Sequence, residues 1–187
     1  SRWSRSDPAA VAGLEPGTGR EGFFTDARGW VLAHALLLRV EEGMLIDCDD
    51  TAAGSLRDHL EHFHIREDVA FDDETAAVSC IAVAGPDTKS TKALRAMMTG
   101  VALPVEHCRH AAVEIAGLGV HLVAIDWLGS PGFLIRVRRD RAAAVRDALS
   151  AAGLPQASPA AVDALRIESR FPAARDIPAK TLPQELD

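Results

Sequence analysis

The chain has 187 residues, a formal net charge of −7 and a sequence pI near 5.5, with 48% apolar and 25% charged residues. These values fit a globular protein and exclude broad nucleic-acid binding through phosphates, which needs a basic surface. The longest apolar run, Val31 to Leu38, is broken by His34 and is far too short for a bilayer, so no membrane association is expected, and the start of the chain shows no signal peptide.

Pro8 to Arg20 carries three glycines and Pro16 and reads as a loop after a short helix remnant. Phe23-Phe24, Trp30 to Val40 and Met44 to Cys48 read as three strands, with turns at Gly29 and Glu42-Gly43. Thr51 is the expected cap of a helix to about His62, whose Leu56, Leu60 and Phe63 recur at helical spacing. Val69 to Phe71 and Ala76 to Val83 are strand candidates. Gly85-Pro86-Asp87 breaks the chain before a helix from Thr88 to Met98. His110 to Ile115, Val120 to Trp127 and Phe133 to Val137 read as strands separated by glycine-rich turns. Asp140 is the expected cap of a helix to Ala152 with an apolar stripe of Ala142, Val145 and Leu149, and Gly153 stops it. Ser158-Pro159 opens a last helix, with serine at the cap and proline in the first turn. Strands and helices are grouped without strict alternation, so the predicted fold class is α+β, with mainly antiparallel sheets and helices on one face.

Three widely spaced cysteines, Cys48, Cys80 and Cys108, form no disulfide framework and predict a reducing, cytoplasmic setting. Cys48 and Cys80 lie in apolar runs and read as small core residues. Arg136, Arg138, Arg139 and Arg141 crowd together and read as solvated arginines at a strand end. His59, His62 and His64, and then His107, Cys108 and His110, contain possible zinc ligands but lack the spacing of a metal centre, and no metal is expected. No phosphate-binding loop, nucleophile elbow or complete dinucleotide fingerprint is present.

Thr25-Asp26-Ala27-Arg28-Gly29, together with Leu165-Arg166-Ile167-Glu168-Ser169-Arg170-Phe171-Pro172, Asp176 and Thr181-Leu182-Pro183-Gln184-Glu185, resembles the folate-binding proteins of the YgfZ type. These are relatives of the aminomethyltransferase (T-protein) of the glycine cleavage system, within the GcvT superfamily. The resemblance implies a folate-binding α+β domain made of residues 1–75, a ferredoxin-like second lobe of 76–157 and a return segment of 158–187. It further implies that the family's C-terminal barrel, with its Cys motif, lies outside these residues.

What the resemblance implies for the site centres on Glu168. A pterin offers a ring N–H beside an amino group, and one carboxylate accepts both, which fixes the ring. Read without the resemblance, Glu168 is a surface acid. The family has glycine at the positions of Arg170 and Arg175, where this chain has guanidinium groups that either anchor the acidic tail of folate or fill the pocket. The aminomethyltransferases carry an Asp pair where this chain has Ala33 and His34, and one of those carboxylates is catalytic, so aminomethyl transfer is not expected here. His34 is either a ligand contact or a hydrogen-bonded core residue. Trp127 lies in a segment that keeps the family's glycines and Phe133 but not its Tyr and Glu, and it either stacks on the ligand or on the sheet. The expected binding residues are therefore Glu168, Trp127, His34 and Arg170, the cofactor tetrahydrofolate or a derivative, and the partners iron–sulfur client proteins. The role implied is support of iron–sulfur enzyme assembly or repair and of tRNA modification. The alternatives are an aminomethyltransferase, or a degenerate member acting only as a protein-binding module.

Overall fold

The computed structural model describes residue 11 and residues 13–65, 68–84, 88–99, 102–127 and 129–186. The start of the Pro8–Arg20 segment and the Gly85-Pro86-Asp87 break lie outside them. Two compact units are present: residues 1–76 with 172–187, and residues 77–171. The last helix therefore belongs with the second unit, and the chain returns to the first only at Pro172. No helix among the described residues is long and apolar enough to cross a membrane.

The first unit is built on an antiparallel sheet of three strands, β1 (Gly19–Thr25), β2 (Val31–Val40) and β3 (Gly43–Cys48), with β2 in the middle. β1 begins upstream of the Phe23-Phe24 pair because Gly19 and Arg20 pair with Leu38 and Leu37. As the central strand, β2 buries both faces: Ala33, Ala35 and Leu37 on one, Leu36 and Leu38 on the other. That is why its sequence is nearly continuous in apolar residues rather than alternating. The β1–β2 loop is held by Asp26, whose carboxylate accepts the amides of Arg28 and Trp30, both at 2.9 Å, while Gly29 turns with φ +84°.

Helix α1 (Asp50–Phe63) follows β3 directly. Its cap is Asp49 rather than Thr51: the Asp49 carboxylate accepts the Thr51 amide at 3.0 Å and also the Thr51 hydroxyl. The short acid one residue before the helix reaches the second amide, and Thr51 lies inside the first turn. The expected apolar stripe is narrow. Leu56 is buried, Leu60 is half-buried and Phe63 is 58% exposed. The expected strand at Val69 to Phe71 does not form. Val69 is exposed, no strand pairs with the segment, and Asp72-Asp73-Glu74 follows, with Asp73 accepting the Thr75 amide in a turn.

The second unit carries a five-stranded, wholly antiparallel sheet in the order β4-β8-β7-β6-β5. Its strands are β4 (Val78–Val83), β5 (Met98–Thr99), β6 (His110–Ile115), β7 (Leu118–Ile125) and β8 (Gly132–Arg138). Helix α2 (Thr88–Met97) joins β4 to β5, and α3 (Ala142–Ala151) follows β8. A ferredoxin-like lobe would run βαββαβ, with a strand after its second helix. Here β6, β7 and β8 form a meander, and no strand follows α3 among the described residues. Leu94 of α2 and Ala142, Val145 and Leu149 of α3 close the core over Val113, Ile115, Leu122, Ile135 and Val137. The predicted stripe of α3 is thus fully buried.

The β6–β7 hairpin turns through Ala116 and Gly117, at φ +52° and +75°, so Ile115 pairs with Leu118 across two residues and Gly119 already lies in β7. Both positive φ values suit the right-handed twist of the strands. At Gly132 a Cβ would sit 2.5 Å from the Val83 carbonyl oxygen, so only glycine lets β8 run this close to β4. Asp140 does not cap α3. A 3-10 turn, Arg139–Arg141, intervenes, and the Asp140 carboxylate instead takes two hydrogen bonds from Arg138, both at 3.2 Å. Gly153 ends the helix with φ +83°, as its position predicts. Cys80 is exposed on β4 and Cys48 is half-buried, so neither is the core residue expected; Cys108 is buried. Among the described residues the strands form these two open sheets and no barrel.

Candidate functional site

The segment with the strongest resemblance forms helix α4 (Pro159–Glu168) and the turn after it. Ser158 accepts the Ala161 amide at 3.2 Å, and Pro159 fills the first turn, as their order predicts. At the other end Arg170 adopts φ +55°. Its amide donates to the Ile167 carbonyl at 3.0 Å, and the Phe171 amide donates to the Arg166 carbonyl at 2.9 Å. These two bonds are the left-handed closure that usually relies on glycine. The backbone thus adopts at Arg170 a conformation that glycine favours, even though the residue is arginine, and its side chain is exposed.

Several side chains lock this turn. Arg166 is turned inward, with its Nε on the Asp163 carboxylate at 3.3 Å and its Nη1 donating to the Phe171 carbonyl at 2.9 Å. The Phe171 ring stacks on Trp127 at 4.9 Å and 32°. Gly129, φ +74°, lies beside the turn, where a Cβ would come 2.7 Å from the Ser169 Oγ. Trp127 therefore has an aromatic neighbour from the chain itself, and the loop after β7 is fitted to the end of α4. Glu168 is exposed at the end of the helix. A carboxylate there faces the negative end of the helix dipole, which disfavours it by about 0.3–1 kcal/mol in exposed settings.

His34 belongs to the first unit. Its Nε2 lies 3.0 Å from the Glu21 carboxylate, with the two side chains 12% and 7% exposed. The Phe23 ring, directly across the ladder, stands 5.2 Å away. Trp127, Glu168 and Arg170 are brought into one segment of the second unit; His34 is on the other unit's sheet. Glu21, Arg166 and Phe171 are contacts that the sequence reading did not single out. Phe171 was legible as an apolar residue just past a helix end, whereas Glu21 carries no signal until β1 and β2 are put in register.

The tail motif does structural work in the first unit. Asp176 accepts the Ala173 amide at 3.0 Å, and Glu185 accepts the Leu182 amide at 2.7 Å, each closing its own 3-10 turn. The Thr181 carbonyl accepts the Val31 amide at 2.9 Å, which ties this tail to the start of β2. Trp30 lies between Arg28 and Lys180, whose charged groups are 4.9 and 5.4 Å from its ring. Arg175 is exposed, and its charge is among those that hold the Asp49 carboxyl below its usual range, after the hydrogen bond from the Thr51 hydroxyl. The histidines of α1 and the one just after it stand against aromatic rings: His59 and His62 are 4.8 and 5.1 Å from Phe63, and His64 is 5.9 Å from Phe71.

An α+β fold of antiparallel sheets, with the Leu-Arg-x-Glu segment closing a helix and the Leu-Pro-x-Glu segment closing a turn, is consistent with the glycine-cleavage T-protein class. The profile of the GCVT N-terminal domain matches residues 7–187, and the chain belongs to that family. None of the curated proteins matches it.

Proposed function

We propose that this protein binds tetrahydrofolate, or a derivative, as a YgfZ-type member of the family, and does not transfer an aminomethyl group. The observation that carries the reading is the family match over residues 7–187; the likeness of Leu165-Arg166-Ile167-Glu168 to the family's Leu-Arg-x-Glu segment makes Glu168 the proposed pterin-binding acid. Glu168 stands at the unfavourable end of the α4 dipole, so its place is not explained by helix stability. Its two oxygens suit the paired donors of a pterin edge. Trp127, already stacked with Phe171, has a flat surface for a conjugated ring, and Arg170 completes the part of the proposed set that lies in the second unit; His34 is proposed separately, as a residue of the first. The bound cofactor would carry one-carbon units.

The strand position where aminomethyltransferases hold their carboxylates is Ala33 and His34 here, which argues against transfer. We place the protein in the cytoplasm, where it supports iron–sulfur client enzymes, including those that modify tRNA, without gripping nucleic acid itself. A second reading, a protein-binding module with no ligand, is favoured by the exposure of both Glu168 and Arg170.

A titration with a reduced folate, followed by tryptophan fluorescence, separates the two. Saturable quenching that weakens at least tenfold in Glu168→Ala, and loses most of its amplitude in Trp127→Phe, supports folate binding. No saturable signal in the unaltered protein overturns it in favour of the binding module. Formation of a methylene-folate product from an aminomethyl donor would overturn the absence of transfer.

A further inference from the structure

Helices α2 and α3 cover one face of the five-stranded sheet. The opposite face carries an open groove of about 590 Å³, within the usual size range of small-molecule sites. None of Glu168, Trp127, His34 and Arg170 lines it, so it is independent of the proposed folate site. Strand register explains its composition. Ala112, His121, Arg136 and Cys80 form one row across four strands, and the alternate residues Glu114, Gly119 and Arg138 continue the same face. The floor is shallow because Ala112 is small and because a Cβ added at Gly119 would meet nothing within 4 Å.

The charges in the groove are arranged rather than scattered. Of the four clustered arginines, Arg136 and Arg138 line it, and Arg138 is already held by Asp140. Arg136 is half-buried beside His121. The His121 Nε2 lies 2.7 Å from Nδ1 of the buried His110, so one ring donates and the other accepts. Burial first, then His110 and then Arg136, push His121 down to about 4, so it is a neutral imidazole near pH 7. Two converging imidazoles are possible metal ligands, but the guanidinium in the same row repels a cation. A guanidinium next to a neutral ring suits an oxyanion, which accepts hydrogen bonds from both. No Phe, Tyr or Trp lines the groove for base stacking, and the chain carries a net charge of −7, both of which favour a small molecule over a nucleic acid.

We propose that this groove binds a small organic oxyanion, a phosphate or carboxylate head on a compact body, held by Arg136 and His121, with the Glu114 carboxylate weakening the binding of more highly charged anions. The full chain is titrated with inorganic phosphate, and separately with succinate, at constant ionic strength in sodium chloride, while the histidine C–H resonances are followed by NMR. Saturable shifts of the His121 signals with either probe are expected, and the stronger probe identifies the head group. Arg136→Gln should weaken the response at least fivefold, and Glu114→Gln should strengthen it. Arg138→Gln should change it less than Arg136→Gln, because Arg138 is exposed at the strand end, whereas Arg136 is half-buried in the same row as His121. Shifts that merely follow chloride would overturn the proposal. If Arg136→Gln fails to fold, the exposed Glu114→Gln variant still decides: an unchanged or weaker response rejects the site.

Discussion

His34 and His121 look alike in the sequence, each a single imidazole inside an apolar strand, yet the fold gives them opposite company. His34 meets the Glu21 carboxylate at 3.0 Å, an acceptor and a negative charge. His121 meets a second imidazole at 2.7 Å and a guanidinium across the ladder, both of which resist a positive ring. The difference comes from register. Across from His34 stands Phe23, with Glu21 two residues away on the same face, while across from His121 stand Ala112 and Arg136. A strand pattern fixes which face a histidine occupies, but the chemistry of the site belongs to residues brought in from other strands.

The largest test breaks the packing of the strand that carries each histidine. Leu36 in β2 and Leu122 in β7 are fully buried, and Leu→Ala at either should cost about 2–5 kcal/mol in urea unfolding. A loss below about 1 kcal/mol at one of them would show that its sheet is not closed as described. Acid should next test His121. The folded value of His121 is lowered from 6.5 to about 4, so between those values the unfolded chain binds more protons. Stability should therefore fall as pH drops from about 6.5 toward 4, by on the order of 1–2 kcal/mol after allowing for partial exposure, and His121→Gln should flatten that part of the curve. For the first unit, Glu21→Gln should cost about 1 kcal/mol at pH 7, since it removes the charged partner of His34. Equal urea midpoints would show that the contact adds nothing.

Two helix starts extend the contrast to smaller effects. Asp49→Ala removes a side-chain cap and should cost about 1 kcal/mol, read by thermal unfolding. Its carboxyl is held below the usual range, so this contribution is present above the unfolded value and disappears as pH falls through the folded one. Asp140→Ala should leave the thermal midpoint essentially unchanged, because that acid binds exposed Arg138 and caps nothing.

Much of the framework was legible where one residue type has one physical use. Ser158-Pro159 started a helix and Gly153 ended one, and the 3.6-residue stripe of α3 was buried as read. Reading failed where two neighbours compete for one job. Asp49 and Thr51 both suit a cap, and the residue outside the helix took it. Asp140 looked like a cap, but an arginine two residues earlier claimed it. Val69 to Phe71 has strand-forming residues and no strand to pair with, and Cys80 fell on the uncovered side of an edge strand. The proposed folate residues were legible only through resemblance, since nothing in the composition of α4 distinguishes Glu168 from a surface acid. The groove was not legible at all: it needs Ala112, His121 and Arg136 in one row, and those residues are far apart along the chain.

The tip of the β6–β7 hairpin offers a practical opening. Ala116 and Gly117 are exposed, and a side chain added at Gly117 would touch nothing within 4 Å. Short exposed tips of this kind tolerate insertions and labels. A fluorophore attached at Ala116 would stand two residues from Glu114 and three from Gly119, at the rim of the groove. Its emission would report occupancy in real time, without altering any residue that holds the sheet together.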